Sequence, residues 1–131
     1  MIVVDASVLA NAIADDGVDG RRARDELRLG GEVSAPSLVD VETVAVLRKR
    51  WLAGAISDER FRAGLEDLEA IAIDRYQLLP LMRRAFELRA NVTAYDAAYV
   101  ALAELLGCEL LTGDRRLASA PGPQCAIRLL R

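Results

Sequence analysis

Residues 92–107 read VTAYDAAYVALAELLG and run directly into CELLTGDRR at 108–116. Apolar residues recur at helical spacing through the first segment, and CELLT is a short apolar run of the kind a buried strand shows. A helix that feeds a buried strand implies alternating helices and strands, and so a parallel sheet covered on both faces. One residue breaks the apolar pattern. Asp96 has Val92, Thr93, Tyr99 and Val100 as its neighbours one turn away, and none of them carries a charge. An ionised carboxylate is costly to bury without a partner, so either that face is wet or the partner comes from a distant part of the chain.

The same alternation extends outward. IVV at 2–4 is a short apolar run closed by Asp5, and Ser7 is placed to cap a helix over SVLANAIA. Beyond Gly30 and Gly31, EVSAP has strand character. A long helical pattern, SLVDVETVAVLRKRWLAG, then starts at Ser37 and ends near Gly54, with Ser37 and Asp40 at capping-box spacing. DERFRAGLEDLEAI, from Asp58, predicts a polar helix with acids in its first turn, leading to a strand near AIDRYQLL. Another helix spans about Pro80 to Arg89, before the one that carries Asp96. After CELLT, GDRRLAS reads as a turn and short helix and CAIRLL as a last strand. No linker, repeat or low-complexity segment divides the 131 residues, which predicts one three-layer α/β/α domain over 1–131.

The composition, 53% apolar and 28% charged, is that of a globular protein, and no apolar run approaches the ~18 residues that span a bilayer. MIVVDAS carries no basic leader, so the expected location is the cytoplasm, away from membranes. Cys108 and Cys125 match no metal spacing and no disulfide framework. The absence of histidine removes imidazole acid–base chemistry, histidine triads and histidine-ligated zinc together. Any catalysis must then use carboxylates, hydroxyls or metals. A net charge of −3 argues weakly against nucleic acid. Distribution runs the other way: of 17 basic residues only Lys49 is lysine, and the arginines cluster as RRARDELR, RKR, MRR and DRR, a form suited to bidentate phosphate contacts.

Four acids stand in apolar settings. Asp5 follows the IVV run and Asp114 follows ELLTG, each just past the carboxyl end of a buried parallel strand, where open α/β sheets place ligands. Glu42 interrupts a helical face made by Leu38, Val39, Ala45 and Val46, and Asp96 is the fourth. Each has a structural alternative: a strand-end turn for Asp5, a wet edge for Glu42, a capping box with Thr93 for Asp96, a turn or helix start for Asp114. Those alternatives do not explain why four unpaired acids should point from apolar elements toward one sheet. Held together they repel, unless a cation neutralises them. Oxygen-only carboxylate ligands suit Mg²⁺, with Mn²⁺ as a substitute.

The segments IVVDASVLAN, APSLVDVETVAVLRKR and VTAYDAAYVALAELLGCELLTGDRRLA resemble the PIN-domain ribonucleases, in particular the VapC toxins of bacterial toxin–antitoxin pairs. The resemblance implies a five-stranded parallel sheet in order 3-2-1-4-5 and an acidic quartet at Asp5, Glu42, Asp96 and Asp114. It puts Ser7 and Thr112 at the family's hydroxyl positions near the metal, and helix capping explains Ser7 equally well. It further implies a metal-dependent endoribonuclease that leaves 5′-phosphate and 3′-hydroxyl ends, a homodimer, and a small antitoxin of the VapB type. Arg115 and Arg116 are the candidates for RNA contact, and Trp51 and Phe61 for apolar anchors. A catalytically silent PIN-like module that binds only RNA or protein is the alternative, and the presence of all four acids speaks against it. A haloacid-dehalogenase-type phosphotransferase wants a second acid where this chain has Ser7, a receiver domain wants a late-strand lysine, and no GxxxxGK supports a P-loop.

Overall fold

A computed structural model describes residues 1–130. Its first strand, β1 (Ile2–Val4), is buried throughout, as a strand covered on both faces must be. Alternation sends Val3 into one apolar cluster and Ile2 and Val4 into another. The chain continues through α1 (Ala6–Ala14), α2 (Val18–Leu29), β2 (Val33–Pro36), α3 (Val39–Leu52), α4 (Asp58–Ala70) and β3 (Asp74–Tyr76). A 3-10 turn at Leu79–Leu81 leads into α5 (Met82–Glu87), followed by α6 (Ala94–Leu106), β4 (Glu109–Thr112), α7 (Arg115–Ser119) and β5 (Ile127–Leu129). All pairings are parallel, and the order is β3-β2-β1-β4-β5, as the family resemblance implied.

The sheet is sandwiched. Val3, Ala35 and Leu110 face a large cluster built with Leu9, Leu47, Tyr99, Val100 and Leu102, whereas Ile2, Val4, Val33 and Leu111 face a smaller one closed by Val8, Ala12 and Ala23. α6 supplies the largest share of the larger side because its alanine-rich face lets it approach the strands closely, and Ala97, Ala98, Ala101 and Ala103 are all buried. β1 and β4 are neighbours, with Val4 opposite Leu111. From β1 the chain crosses toward β2, and from β4 toward β5, so their carboxyl ends flank the point where strand order reverses. No described helix is long and apolar enough to cross a membrane.

Several local expectations are corrected. Asp5, not Ser7, caps α1, accepting from the backbone N–H groups of Ser7 and Val8. α3 begins two residues after Ser37 with no side-chain cap, and Asp40, expected in a capping box, instead pairs with Arg75 of β3. The ion pair outcompetes the box because Arg75 reaches the carboxylate with two nitrogens, at 2.8 and 3.0 Å. The segment from Pro80 to Arg89 is a 3-10 turn plus a short helix. β3 is the polar edge strand, which is why Asp74 and Arg75 interrupt its pattern and stay exposed.

Candidate active site

Asp5 stands where β1 ends and α1 begins, and only 6% of it is exposed. Its Oδ1 accepts from the backbone N–H of Ser7 at 3.1 Å, the backbone N–H of Val8 at 3.2 Å and the Ser7 hydroxyl at 2.5 Å. The buried Thr112 hydroxyl, at the end of β4, donates to Oδ2. These donors favour the ionised form, but burial outweighs them and pushes the Asp5 carboxyl above its ordinary value.

The two hydroxyls also key the neighbouring loop. Ser7 Oγ accepts from the Gly113 N–H at 3.0 Å, and Thr112 Oγ1 accepts from the Asp114 N–H at 3.0 Å. A Cβ on Gly113 would lie 3.1 Å from Ser7 Oγ, so a residue without one suits the close approach of the two strand ends. Asp114, exposed, caps α7 by accepting from the Arg116 N–H at 2.8 Å. Asp5 and Asp114, 109 positions apart in the chain, are thus joined through one serine and one threonine.

Glu42 and Asp96 approach from the helices. Thr93 caps α6 by accepting from the Asp96 N–H at 3.2 Å, which sets Asp96 in the first turn. Burial raises the Asp96 carboxyl, and repulsion from Asp114 and Asp5 raises it further. Glu42, in the first turn of α3, is likewise raised by burial and by Asp96 and Asp5, while the Tyr99 hydroxyl, donating to Oε1 at 2.6 Å, opposes the shift. The four acids therefore share one field. Among the described residues no three acids converge tightly enough to hold an ion between them as the side chains lie.

The donor chemistry nonetheless fits a hard divalent cation. Half-buried Glu26, Asp40, Glu104 and Glu109 each take an arginine. Asp5, Glu42 and Asp96 are buried to a similar or greater degree, and every hydrogen bond described to their side chains comes from a hydroxyl or a backbone N–H. Such groups satisfy lone pairs without cancelling charge, so the negative potential is left for a cation.

Of the arginines singled out by sequence, Arg115 lines a cleft of about 400 Å³ together with Asn11, Asp19, Gly113, Leu129 and Leu130, directly beside the loop that carries Asp114. Arg116 is exposed and does not line that cleft. Of the apolar anchors, Trp51 is 42% exposed with its indole N–H on Asp58, whereas Phe61 packs against the core. Cys108 and Cys125 are free thiols, half-buried, and burial raises both. Sequence reading missed Tyr99, taken there as part of an apolar face. The available signal was a phenol one turn from an unexplained acid, since a buried tyrosine hydroxyl needs a partner.

Comparison with known proteins identifies the family and the fold. A family model described as PIN domain matches residues 2–123. "Ribonuclease VapC1" of Mycobacterium tuberculosis is 44% identical over 130 residues, covering 98% of this chain and 97% of that one. "Ribonuclease VapC9" of the same organism is 39% identical over 130 residues, covering 99% and 98%. Among solved structures, VapBC2 from Rickettsia felis bound to a DNA fragment from its promoter superposes with a TM-score of 0.71 at 15% identity, covering 100% of both chains.

Proposed function

The chain belongs to the PIN-domain family, and from that premise we propose that it is a metal-dependent endoribonuclease and the toxin of a toxin–antitoxin pair. RNA as substrate is supported by relatives named as ribonucleases that match it over nearly their full length. The observation that carries the reading is a contrast among the half-buried and buried acids: Glu26, Asp40, Glu104 and Glu109 are paired with arginine and Asp15 is tied to backbone N–H groups at the corner between two helices, whereas Asp5, Glu42 and Asp96 lie in one another's field with no arginine on any of them.

In this reading Asp5, Asp96 and Asp114 hold Mg²⁺ or Mn²⁺, directly or through water, and Glu42 completes the shell or orients the attacking water. When bound, the ion neutralises phosphate charge and lowers the pKa of a coordinated water. Asp5 is the fixed member, since Ser7, Val8 and Thr112 hold both of its oxygens. Asp96 and Asp114, more exposed and each in the first turn or cap of a helix, adjust to the substrate. Arg115, beside Gly113, takes a phosphate of the bound strand. Attack at phosphorus with departure of the 3′ oxygen leaves 5′-phosphate and 3′-hydroxyl ends.

The test is cleavage of total RNA by wild type and Asp96→Asn, with chelator and with Mn²⁺, followed by sequencing of the ends. Cleavage by wild type only with metal, and none by the variant, is expected. Cleavage that persists in chelator, or an active Asp96→Asn, overturns the site; RNA binding without cleavage returns the protein to a silent module. A homodimer and a small VapB-type antitoxin complete the proposal, with exposed Val41, Trp51, Leu52 and Leu65 on α3 and α4 as apolar surface for a partner. A monomeric mass at micromolar concentration overturns the dimer. Unhindered growth on expression without the neighbouring gene product overturns the toxin role.

A further inference from the structure

Tyr99 lies within the larger apolar cluster, 1% exposed, on the face of α6 that also carries Asp96 one turn earlier. A phenol in that position needs a hydrogen-bond partner. Its hydroxyl reaches α3 and donates to Glu42 Oε1 at 2.6 Å, the short length of a bond to an ionised acceptor. Glu42 Oε2 has no protein partner among the described residues. A glutamate side chain has three rotatable bonds, and a half-buried one with no tether spreads over several rotamers. An arginine in the same place would fix the carboxylate but cancel its charge. A phenol fixes it and leaves the charge in place, and burial together with the nearby carboxylates keeps that phenol protonated.

We propose that Tyr99 is a positioning residue for the ribonuclease reaction: its hydroxyl fixes one oxygen of Glu42 and leaves the other for the metal or its attacking water. The inference rests on the functional reading above and adds a residue to it. It differs from a core role in one respect. Packing needs only the ring, which Phe supplies equally, whereas positioning needs the oxygen.

The experiment is a double-mutant cycle of Tyr99→Phe and Glu42→Gln, read by Mn²⁺ titration calorimetry on the nuclease alone and by kcat and KM on a short RNA. Loss of a residue that orients a metal ligand typically costs ~10–100-fold in metal affinity or activity. Tyr99→Phe is expected to lose that much in Mn²⁺ affinity or in kcat, with little change in KM. In the Glu42→Gln background the same substitution is expected to change neither. Wild-type affinity and kcat in Tyr99→Phe, or an equal loss in both backgrounds, overturns the positioning role while leaving the ribonuclease reading intact. A wild-type protein that neither binds Mn²⁺ nor cleaves RNA overturns the functional reading, and this inference with it.

A second readout follows the wild-type hydroxyl directly. In wild type the Tyr99 hydroxyl proton, followed by NMR, is expected to shift on addition of Mg²⁺, and Glu42→Gln is expected to abolish that response. A resonance that ignores the metal overturns the proposal.

Discussion

At the level of single residues, Asp5, Glu42 and Asp96 are carboxylates held in burial without an arginine, and this makes their titration visible in stability. Burial raises Asp5, Glu42 and Asp96. A carboxyl raised on folding binds more protons in the native state, so its contribution is fully present below the unfolded value and is lost as pH rises through the native one. In chelator, wild type is therefore expected to lose stability relative to Asp96→Asn as pH climbs from the ordinary aspartate value of 3.8 through the raised native range. Above that range the variant should be as stable as wild type or more so, by no more than about 1 kcal/mol because Asp96 is half-exposed and screened. Paired urea melts across that window check it, and a variant less stable than wild type at neutral pH counts against shared repulsion. Thr93 supplies the cap through the Asp96 backbone N–H, which asparagine keeps, so capping alone predicts no gain.

Among the secondary-structure elements, the join of α1 to α2 is closely packed. α1 turns into α2 at a corner where Asp15 Oδ1 accepts from the N–H groups of Gly17 and Gly20 at 2.7 and 3.3 Å. A Cβ on Gly20 would lie 1.8 Å from the Asp15 carbonyl oxygen, a backbone atom that cannot swing away. Gly20→Ala is expected to destabilise by about 2–3 kcal/mol, measured as a lower urea midpoint at unchanged slope. α7 carries two exposed arginines that are not equivalent. Arg115 lines the cleft beside Gly113 and Arg116 does not. Arg115→Glu should weaken RNA binding and reduce the slope of log K against log salt by roughly 0.7–0.9 per lost phosphate contact, with Mn²⁺ affinity largely kept, and Arg116→Glu should do less. Equal effects, or an unchanged slope, return both to a solvated face.

On the scale of the whole molecule, metal binding and folding are linked. An ion that binds only the native state adds ~2.7 kcal/mol of stability at a hundredfold excess over its Kd. Wild type should show a gain of that order with Mn²⁺, and Asp96→Asn a smaller one. Differential scanning calorimetry measures both, and equal gains would place the ion away from Asp96. The larger apolar cluster draws on β1, α1, α3, α4, α5, α6 and α7, and a core shared by so many elements predicts one cooperative transition.

The order of the elements and all five strands were legible, most directly where apolar runs such as IVV and CELLT are themselves the interior of a parallel sheet. The four acids were legible for the same reason, as charges that break an apolar pattern. Which residue caps α1 was not, because Asp5 and Ser7 are both good caps, and the choice follows from Thr112 and Gly113 arriving on β4. Asp40 looked like half of a capping box until Arg75 came alongside on β3. Tyr99 looked like core until Glu42, 57 positions earlier, met its hydroxyl. Local pattern determines what can be buried. Which buried polar groups satisfy one another is decided only when strands and helices distant in sequence are brought within hydrogen-bond length, an interaction that falls off within a few ångströms and leaves no period in the sequence.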